Sequence, residues 1–318
     1  MLTVDAVAYA AGRPPPQRPP GRMGDVEDDL QLARRAALAG SGVAMRYFAA
    51  VAGLRRERKL DGSVVTEADR AVEATIRAVL TGARPSDAVL GEEGGESAGA
   101  GRRRWIIDPI DGTALFVAGD DRWLVLLALE VDARIEVGVA VVPVQRRIWW
   151  ARRGHGAWEA TIGGQPHRIT AAAAGPSRTA DAAGPARPDD PATGADGLAG
   201  RRFAVLPSHD DAAGANVVPK APDVVAPLLA IAPARPWDLH PPLLVARGDL
   251  DLAVQTSGMV WDFAATSLIV AEAGGVYRSF AGGRQPQAGP SVFAATERIA
   301  AAALRRLLGG DEAEQRAQ

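Results

Sequence analysis

Asp108-Pro109-Ile110-Asp111-Gly112-Thr113 concentrates more chemistry than any other six residues of this chain. Two carboxylates three positions apart across a proline cannot belong to a continuing helix. The ring fixes its own φ and biases the preceding residue toward extended backbone. The spacing therefore predicts that a strand ends at Asp108 and the chain turns, bringing Asp111 back beside it. Two carboxylates so close repel unless a cation sits between them, which points to Mg²⁺. Gly112 lets the backbone approach a ligand, Thr113 adds a hydroxyl, and a helix starting here would turn free N–H groups toward a phosphate. An Asp-Gly pair alone more often marks a surface turn. The whole hexapeptide, following the apolar Trp105-Ile106-Ile107, favours the ligand site instead.

Other carboxylates could complete such a site, and each has a plainer reading beside it. Glu92 and Glu93 follow Val89-Leu90-Gly91 and precede glycines, the setting of a ligand loop, although a Glu pair by itself is more often a solvated face. Asp262 follows Trp261, opens an apolar helix and serves equally well as an ordinary N-cap acid. Asp69 stands three residues after Thr66, like the acid of a capping pair, and that reading is slightly the better one for it alone.

Composition narrows the chemistry. The chain has 318 residues, 47% hydrophobic and 23% charged, with a net charge of −2, so no strong charge directs it to nucleic acid or a membrane surface. It has no cysteine, which excludes disulfides, thiolate zinc sites and cysteine nucleophiles. His155, His167, His209 and His240 are scattered without metal-ligand spacing, so a bound metal would be held by oxygens. No apolar run reaches the 18 residues of a membrane span. The opening stretch, with Gly12-Arg-Pro-Pro-Pro-Gln-Arg-Pro-Pro-Gly-Arg22, lacks the apolar core of a signal peptide. It reads as a disordered extension over 1–22, with Met23 as the expected start and the cytoplasm as the expected compartment.

The elements that must position these residues follow from periodicity. Helical spacing predicts a helix from Asp25 to about Ala50 with Leu30, Ala33, Ala37 and Val43 inward. A polar loop over Arg55–Ser63 follows, then a helix from Thr66 with Val72, Ile76, Val79 and Leu80 on one face. A short strand at Trp105–Ile107 delivers Asp108. Strands at Trp123–Val131, Ile135–Val142 and Arg147–Ala151 read as an antiparallel meander with a tight turn near Pro143. Residues 172–200 carry scarcely a large apolar group and read as a flexible insertion. Beyond it come a strand at Phe203–Leu206, a helix at Leu243–Ala246, a strand at Leu250–Val254 and a helix at Asp262–Ala273 ended by Gly274-Gly275. Strands at Val276–Phe280 and Ser291–Ala294 and a helix at Glu297–Leu308 close the fold. Strands and helices without regular βαβ alternation argue for a layered α+β architecture.

With these segments in view, the chain resembles the inositol monophosphatase superfamily of Mg²⁺-dependent, lithium-sensitive phosphatases. The likeness spans roughly Asp25 to Leu308 and rests on Asp61-Gly-Ser-Val-Val-Thr-Glu-Ala-Asp69, Gly91-Glu92-Glu93, Trp105 to Thr113, Trp261-Asp262-Phe-Ala-Ala265 and Glu272-Ala-Gly-Gly275, in that order. Within the superfamily it is most similar to actinobacterial histidinol-phosphate phosphatases, through Val65–Glu73, Arg84–Glu93 and Trp149–Ala157. The resemblance implies an αβαβα sandwich with an N-terminal half over 23–145, a C-terminal half over 146–310 and a tail over 311–318, the site lying between halves. It implies metal ligation by Glu92, Asp108, the Ile110 carbonyl, Asp111 and Asp262, for two or three Mg²⁺ ions. Glu92, Thr113 and Asp69 match residues that orient the attacking water, and the backbone of Gly112 and Thr113 matches a phosphate cradle. Asp238 falls near a substrate-contacting Gly-Asp, with Trp237 in place of the glycine, and Lys59 lies near a mobile-loop lysine. Ala114-Leu115-Phe116 replaces a Lys-Asn-Phe type of triplet, and Gln255 stands where inositol phosphatases place a substrate-binding Glu.

The activity so implied is hydrolysis of a small phosphate monoester by a metal-activated water, histidinol-phosphatase-like or inositol-phosphatase-like. A 3′(2′),5′-bisphosphate nucleotidase, another sugar phosphatase, or a metal-binding regulator with decayed catalysis are the alternatives. A haloacid-dehalogenase-like enzyme needs two Asp separated by one residue, where two intervene here. The expected partner is a small phosphate ester, with no nucleic acid or membrane, in a protein whose relatives are often homodimers.

Overall fold

In the computed structural model, the residues described are 28–50, 56–58, 64–99, 101–171, 197–206 and 223–309. The expected N-terminal extension, Met23, Lys59, Asp61-Gly62-Ser63, most of the 172–200 insertion and the tail lie outside them.

Two packed helices form the first layer. α1 (Asp29–Phe48) buries Leu32, Ala33, Ala36, Ala37, Val43 and Ala44, mostly small residues that let a neighbour approach closely. A Cβ on Gly40 would stand 2.7 Å from the Ile76 side chain, so this glycine lets α1 lie close to α2 (Glu67–Ala83). Leu30, expected inward, is half-buried, while Ala33, Ala37 and Val43 are buried as anticipated. Thr66 was expected to begin the second helix. It is instead the last residue of β2 (Val64–Thr66), which pairs antiparallel with β1 (Arg56–Arg58) inside the expected polar loop. The β-branched run Val64-Val65-Thr66 explains the strand.

An eight-stranded sheet forms the second layer. Its strands are β3 (Ala88–Gly91), β4 (Gly95–Ser97), β5 (Arg103–Asp111), β6 (Leu124–Val131), β7 (Arg134–Val142), β8 (Arg147–Arg152), β9 (Ala157–Thr161) and β10 (His167–Ile169). The order is β10-β9-β8-β7-β6-β5-β3-β4, with only β3 and β5 parallel. Alternation divides β6 between two cores: Val125, Leu127 and Leu129 pack with α1 and α2, whereas Leu124, Leu126 and Ala128 face the rest of the molecule. The expected boundary at 145/146 falls inside this sheet, in the β7–β8 turn where Arg146 N–H donates to Pro143 O at 3.0 Å. The sheet continues without a break to Ile169 because β7 and β8 are paired along their length.

A four-stranded sheet forms the fourth layer, in the order β11 (Phe203–Leu206), β12 (Leu252–Gln255), β14 (Ser291–Ala294), β13 (Val276–Ser279). Between the sheets lie α5 (Pro241–Arg247) and α6 (Val260–Glu272), and α7 (Glu297–Leu308) with α4 (Ala226–Leu229) covers the outer face. The result is the αβαβα sandwich. From Asp262 to Val270 every residue of α6 is buried, as a helix between two sheets requires. A Cβ on Gly138 of β7 would stand 2.7 Å from the Ala265 carbonyl, so this glycine sets how closely α6 approaches the sheet. The last residues of the expected insertion are described, and Leu198 is 2% exposed within the core. Among the described residues no helix is long and apolar enough to cross a membrane.

Candidate active site

The strand that carries Asp108 does not end there, contrary to the sequence-based expectation. β5 continues to Asp111, and its register against β6 shifts between the pairs Asp108–Leu126 and Asp111–Leu124. In a regular strand, residues three apart point to opposite faces. The shift opposes Pro109 and Ile110 to the single residue Val125, and this bulge returns Asp111 to the face of Asp108. Pro109, which has no N–H for the ladder, sits where the ladder is already interrupted.

Asp262 approaches the same place from α6. It is not the N-cap acid that the sequence suggested: α6 starts at Val260 with Met259 at the N-cap, and Asp262 at the third helical position reaches back so that Oδ2 accepts the Met259 N–H at 2.5 Å. It is also one of three carboxylates, with Asp108 and Asp111, that each offer an oxygen within 4.8 Å of the others. The three are 1%, 6% and 1% exposed. Burial is the main reason the Asp108 carboxyl is held well above its usual pKa, followed by the negative charges of Glu92, Asp111, Asp262 and Asp69. Glu92 is close enough for its charge to act on Asp108, from the loop after β3 where its N–H donates to Ile107 O at 3.3 Å, but its carboxylate is not among the three whose oxygens gather within 4.8 Å.

Such an arrangement is costly for a protein unless positive charge offsets it. Oδ1 of Asp108 is buried and accepts no hydrogen bond. An all-oxygen donor set with no cysteine and buried, crowded carboxylates fits a hard divalent cation.

Beyond Asp111 the chain enters α3 (Thr113–Ala118) through Gly112, whose φ of +86° is a left-handed conformation that favours glycine. Thr113 Oγ1 lies 3.1 Å from the Ile110 carbonyl and 3.3 Å from Asp69 Oδ1. Asp69, 1% exposed, stands in the first turn of α2 three residues after Thr66, where a helix-capping acid would sit, and one of its oxygens also lies within reach of Thr113.

Sequence reasoning missed Glu73. Its carboxylate, 2% exposed, accepts the N–H groups of Glu93 at 2.7 Å and Gly94 at 2.9 Å, and pairs with Arg77 at 2.7 Å. Arg77 in turn donates to Val89 O at 3.2 Å and to Gly95 O. This clasp fixes the loop that carries Glu92. A signal existed: Asp69, Val72, Glu73, Ile76 and Leu80 share one helical stripe, and all are buried, so two acids stand on an apolar face.

The residues expected to contact substrate stand apart from the three carboxylates. Asp238 is not in the carboxylate cluster; it is exposed on the loop before α5, where its carbonyl accepts Gln145 Nε2 at 2.7 Å. Next to it the Trp237 ring lies under the Arg122 guanidinium at 4.5 Å, and Arg122 also donates to Trp237 O at 3.1 Å. Asp120 holds Arg122 from below through both carboxylate oxygens, at 2.8 and 2.7 Å. Gln255 is buried at the end of β12 with Oε1 accepting no hydrogen bond. His240, which spacing did not single out, lies with Nε2 3.2 Å from Asp111 Oδ2.

Residues 25–187 and 242–316 match the model of the inositol monophosphatase family. The chain belongs to that family. A histidinol-phosphatase of Mycobacterium tuberculosis is 36% identical over 265 residues, covering 83% of this chain and 92% of its own length. A Streptomyces griseus protein named glucose-1-phosphate thymidylyltransferase is 35% identical over 268 residues, 82% of this chain and 89% of its own. Among solved structures, the extragenic suppressor protein SuhB of Bartonella henselae superposes with a TM-score of 0.66 at 25% identity, over 88% of this chain and 98% of that one. An IMPase of Thermotoga maritima shares the fold with a TM-score of 0.63 at 21% identity, over 91% of this chain and 97% of its own. Membership makes the chain a phosphoric monoester hydrolase and removes the haloacid-dehalogenase-like alternative.

Proposed function

We propose that this protein is a Mg²⁺-dependent phosphomonoesterase acting on a small cationic phosphate ester of the histidinol phosphate type. The observation that carries the reading is the meeting of Asp108, Asp111 and Asp262, from two distant segments, with their oxygens within 4.8 Å. In this reading Asp108, Asp111, Asp262, Glu92 and the Ile110 carbonyl hold two or three Mg²⁺ ions. With the single Thr113 hydroxyl proton given to Asp69, the Ile110 carbonyl 3.1 Å away keeps its lone pairs for a cation. When bound, Mg²⁺ supplies concentrated positive charge that makes a water acidic and offsets the charge building on the ester oxygens.

The chain's own residues do the rest. Asp69 draws the Thr113 hydroxyl proton toward itself, which leaves the oxygen's lone pairs free to orient a water. Glu92, held by the Glu73 clasp, supplies a carboxylate to accept that water's proton. The N–H groups of Gly112 and Thr113 receive the phosphate. Asp238 offers an exposed carboxylate to an ammonium or imidazolium on the substrate, the feature that favours histidinol phosphate over a neutral sugar ester. Histidinol-phosphatase is the name of three relatives, from Mycobacterium tuberculosis, Streptomyces coelicolor and Chlorobaculum parvum, while another is named a thymidylyltransferase and more distant ones, at 31% and 26% identity, Nus factor SuhB. A cytoplasmic protein without a nucleic-acid partner, able to form a homodimer as relatives often do, is consistent with this reading.

The test is phosphate release from histidinol phosphate, inositol-1-phosphate, fructose-1,6-bisphosphate and adenosine 3′,5′-bisphosphate, with Mg²⁺, with and without Li⁺. Preference for histidinol phosphate and inhibition by Li⁺ are expected. Turnover confined to another ester would reassign the substrate, and no release from any of them would make the protein a regulator with decayed catalysis.

A further inference from the structure

One buried polar side chain faces the carboxylate cluster without a role in the account above. His240 is 3% exposed and stands at the N-cap of α5, with Nε2 3.2 Å from Asp111 Oδ2. Neither ring nitrogen makes a hydrogen bond, and neither does Asp111 Oδ2. A buried imidazole with both nitrogens idle costs free energy unless one of them is used. The distance to Asp111 is that of a hydrogen bond although the alignment is not yet straight, as is common in active sites before their ligands bind.

The local chain holds the ring in place. Pro241 and Pro242 follow His240 and are both buried, and a residue before proline is kept extended, so His240 cannot be drawn into the helix. Its carbonyl accepts the N–H groups of Leu243 at 2.9 Å and Leu244 at 3.3 Å, and its neighbour Leu239 is 2% exposed. A direct ligand role fits less well. Its Nε2 lies at hydrogen-bond distance from an oxygen of Asp111, which places it beside one of the three carboxylates as a partner.

We propose that His240 is a positioning residue for Asp111. Its Nε2–H donates to Oδ2 and pins one carboxylate oxygen, so that the other is presented toward Asp108 and Asp262. This rests on the metal reading of the carboxylates. Outer partners that orient a ligand in this way raise metal affinity without touching the metal.

Two measurements test it. The first is the Mg²⁺ dissociation constant of substrate-free protein, from calorimetry or the Mg²⁺ dependence of the thermal midpoint, together with kcat and KM at saturating Mg²⁺. His240→Leu, which fills the space without a donor, should weaken Mg²⁺ by about 10- to 100-fold. Its KM at saturating metal should stay near wild type. His240→Gln, whose amide N–H can replace Nε2–H, should stay within about threefold of wild type. A His240→Leu protein that folds and binds Mg²⁺ like wild type overturns the inference. The second needs no variant: nitrogen NMR of wild-type protein should find a proton on His240 Nε2, and a bare Nε2 overturns the inference even if His240→Leu fails to fold. Asp262→Asn separates the two layers of the account. If it loses Mg²⁺ while His240→Leu does not, only the His240 inference fails; if wild type shows no Mg²⁺ response at all, the metal reading fails and takes the inference with it.

Discussion

The hydroxyl of Thr113 lies 3.3 Å from Oδ1 of Asp69, a residue 44 positions earlier on a different layer of the sandwich. The contact ties the turn after the Asp108–Asp111 bulge to α2, and it sets which way the hydroxyl's lone pairs point. Thr113→Val keeps the shape and removes the hydroxyl, so kcat should fall by about 10²- to 10³-fold with little change in KM. Thr113→Ser should retain most of the rate. Steady-state kinetics at saturating Mg²⁺ decides it, and a Thr113→Val enzyme as fast as wild type removes the water-orienting role.

Asp108 gives a pH signature. Burial, then the charges of Glu92, Asp111, Asp262 and Asp69, keep its carboxyl well above the ordinary value of 3.8 in metal-free protein. The folded chain therefore binds this proton more tightly than the unfolded chain. The stability that follows is fully present below the unfolded value and is lost as pH rises through the raised one. Asn has no proton to lose there. Metal-free wild type and Asp108→Asn should melt together in acid and separate as pH rises, with the variant higher. Adding Mg²⁺ should reverse the order, because only an intact ligand set gains from binding. Activity of Asp108→Asn should fall by more than about 100-fold, beyond what changes to outer partners of a metal cost.

How far the sequence announced this site depends on the length scale. The Asp108-Pro109-Ile110-Asp111 spacing carried the pairing of two carboxylates, since proline dictates local backbone. That they meet through a bulge in a continuing strand was not legible, because the bulge is set by pairing with β6. The bounds of α7 and the β6–β7–β8 meander followed from periodicity alone. Asp262 looked like the N-cap acid of its helix and stands instead at the third position of α6, two residues inside the start; only the folded sandwich shows that its carboxylate meets Asp108. Glu73 and His240 gave weaker signals, for their partners are loop N–H groups and a distant carboxylate that no spacing rule connects.

The Glu73 clasp predicts a loss of both stability and rate. Glu73→Ala strands two backbone N–H groups and Arg77 in a partly buried setting, a cost of roughly 3 kcal/mol. Denaturant unfolding should show it as a lower midpoint. Because the loop carrying Glu92 loosens, kcat should also fall, while substitution of the exposed Glu96 should change neither.

Gly138 tests the seating of α6. A side chain there meets the Ala265 backbone carbonyl at 2.7 Å, so Gly138→Ala must push helix and sheet apart. The expected cost is about 1–3 kcal/mol, and since Asp262 rides on α6, Mg²⁺ affinity should drop with it. A variant of wild-type stability and metal affinity would show that α6 can shift freely against the sheet.

The most direct measurement is a crystal of the protein soaked in Mn²⁺, a redox-quiet stand-in with an anomalous signal. Peaks bounded by oxygens of Asp108, Asp111 and Asp262, at about 2 Å from each ligand, are the expected result. Mn²⁺ found only elsewhere, with these three carboxylates empty-handed, would contradict the account.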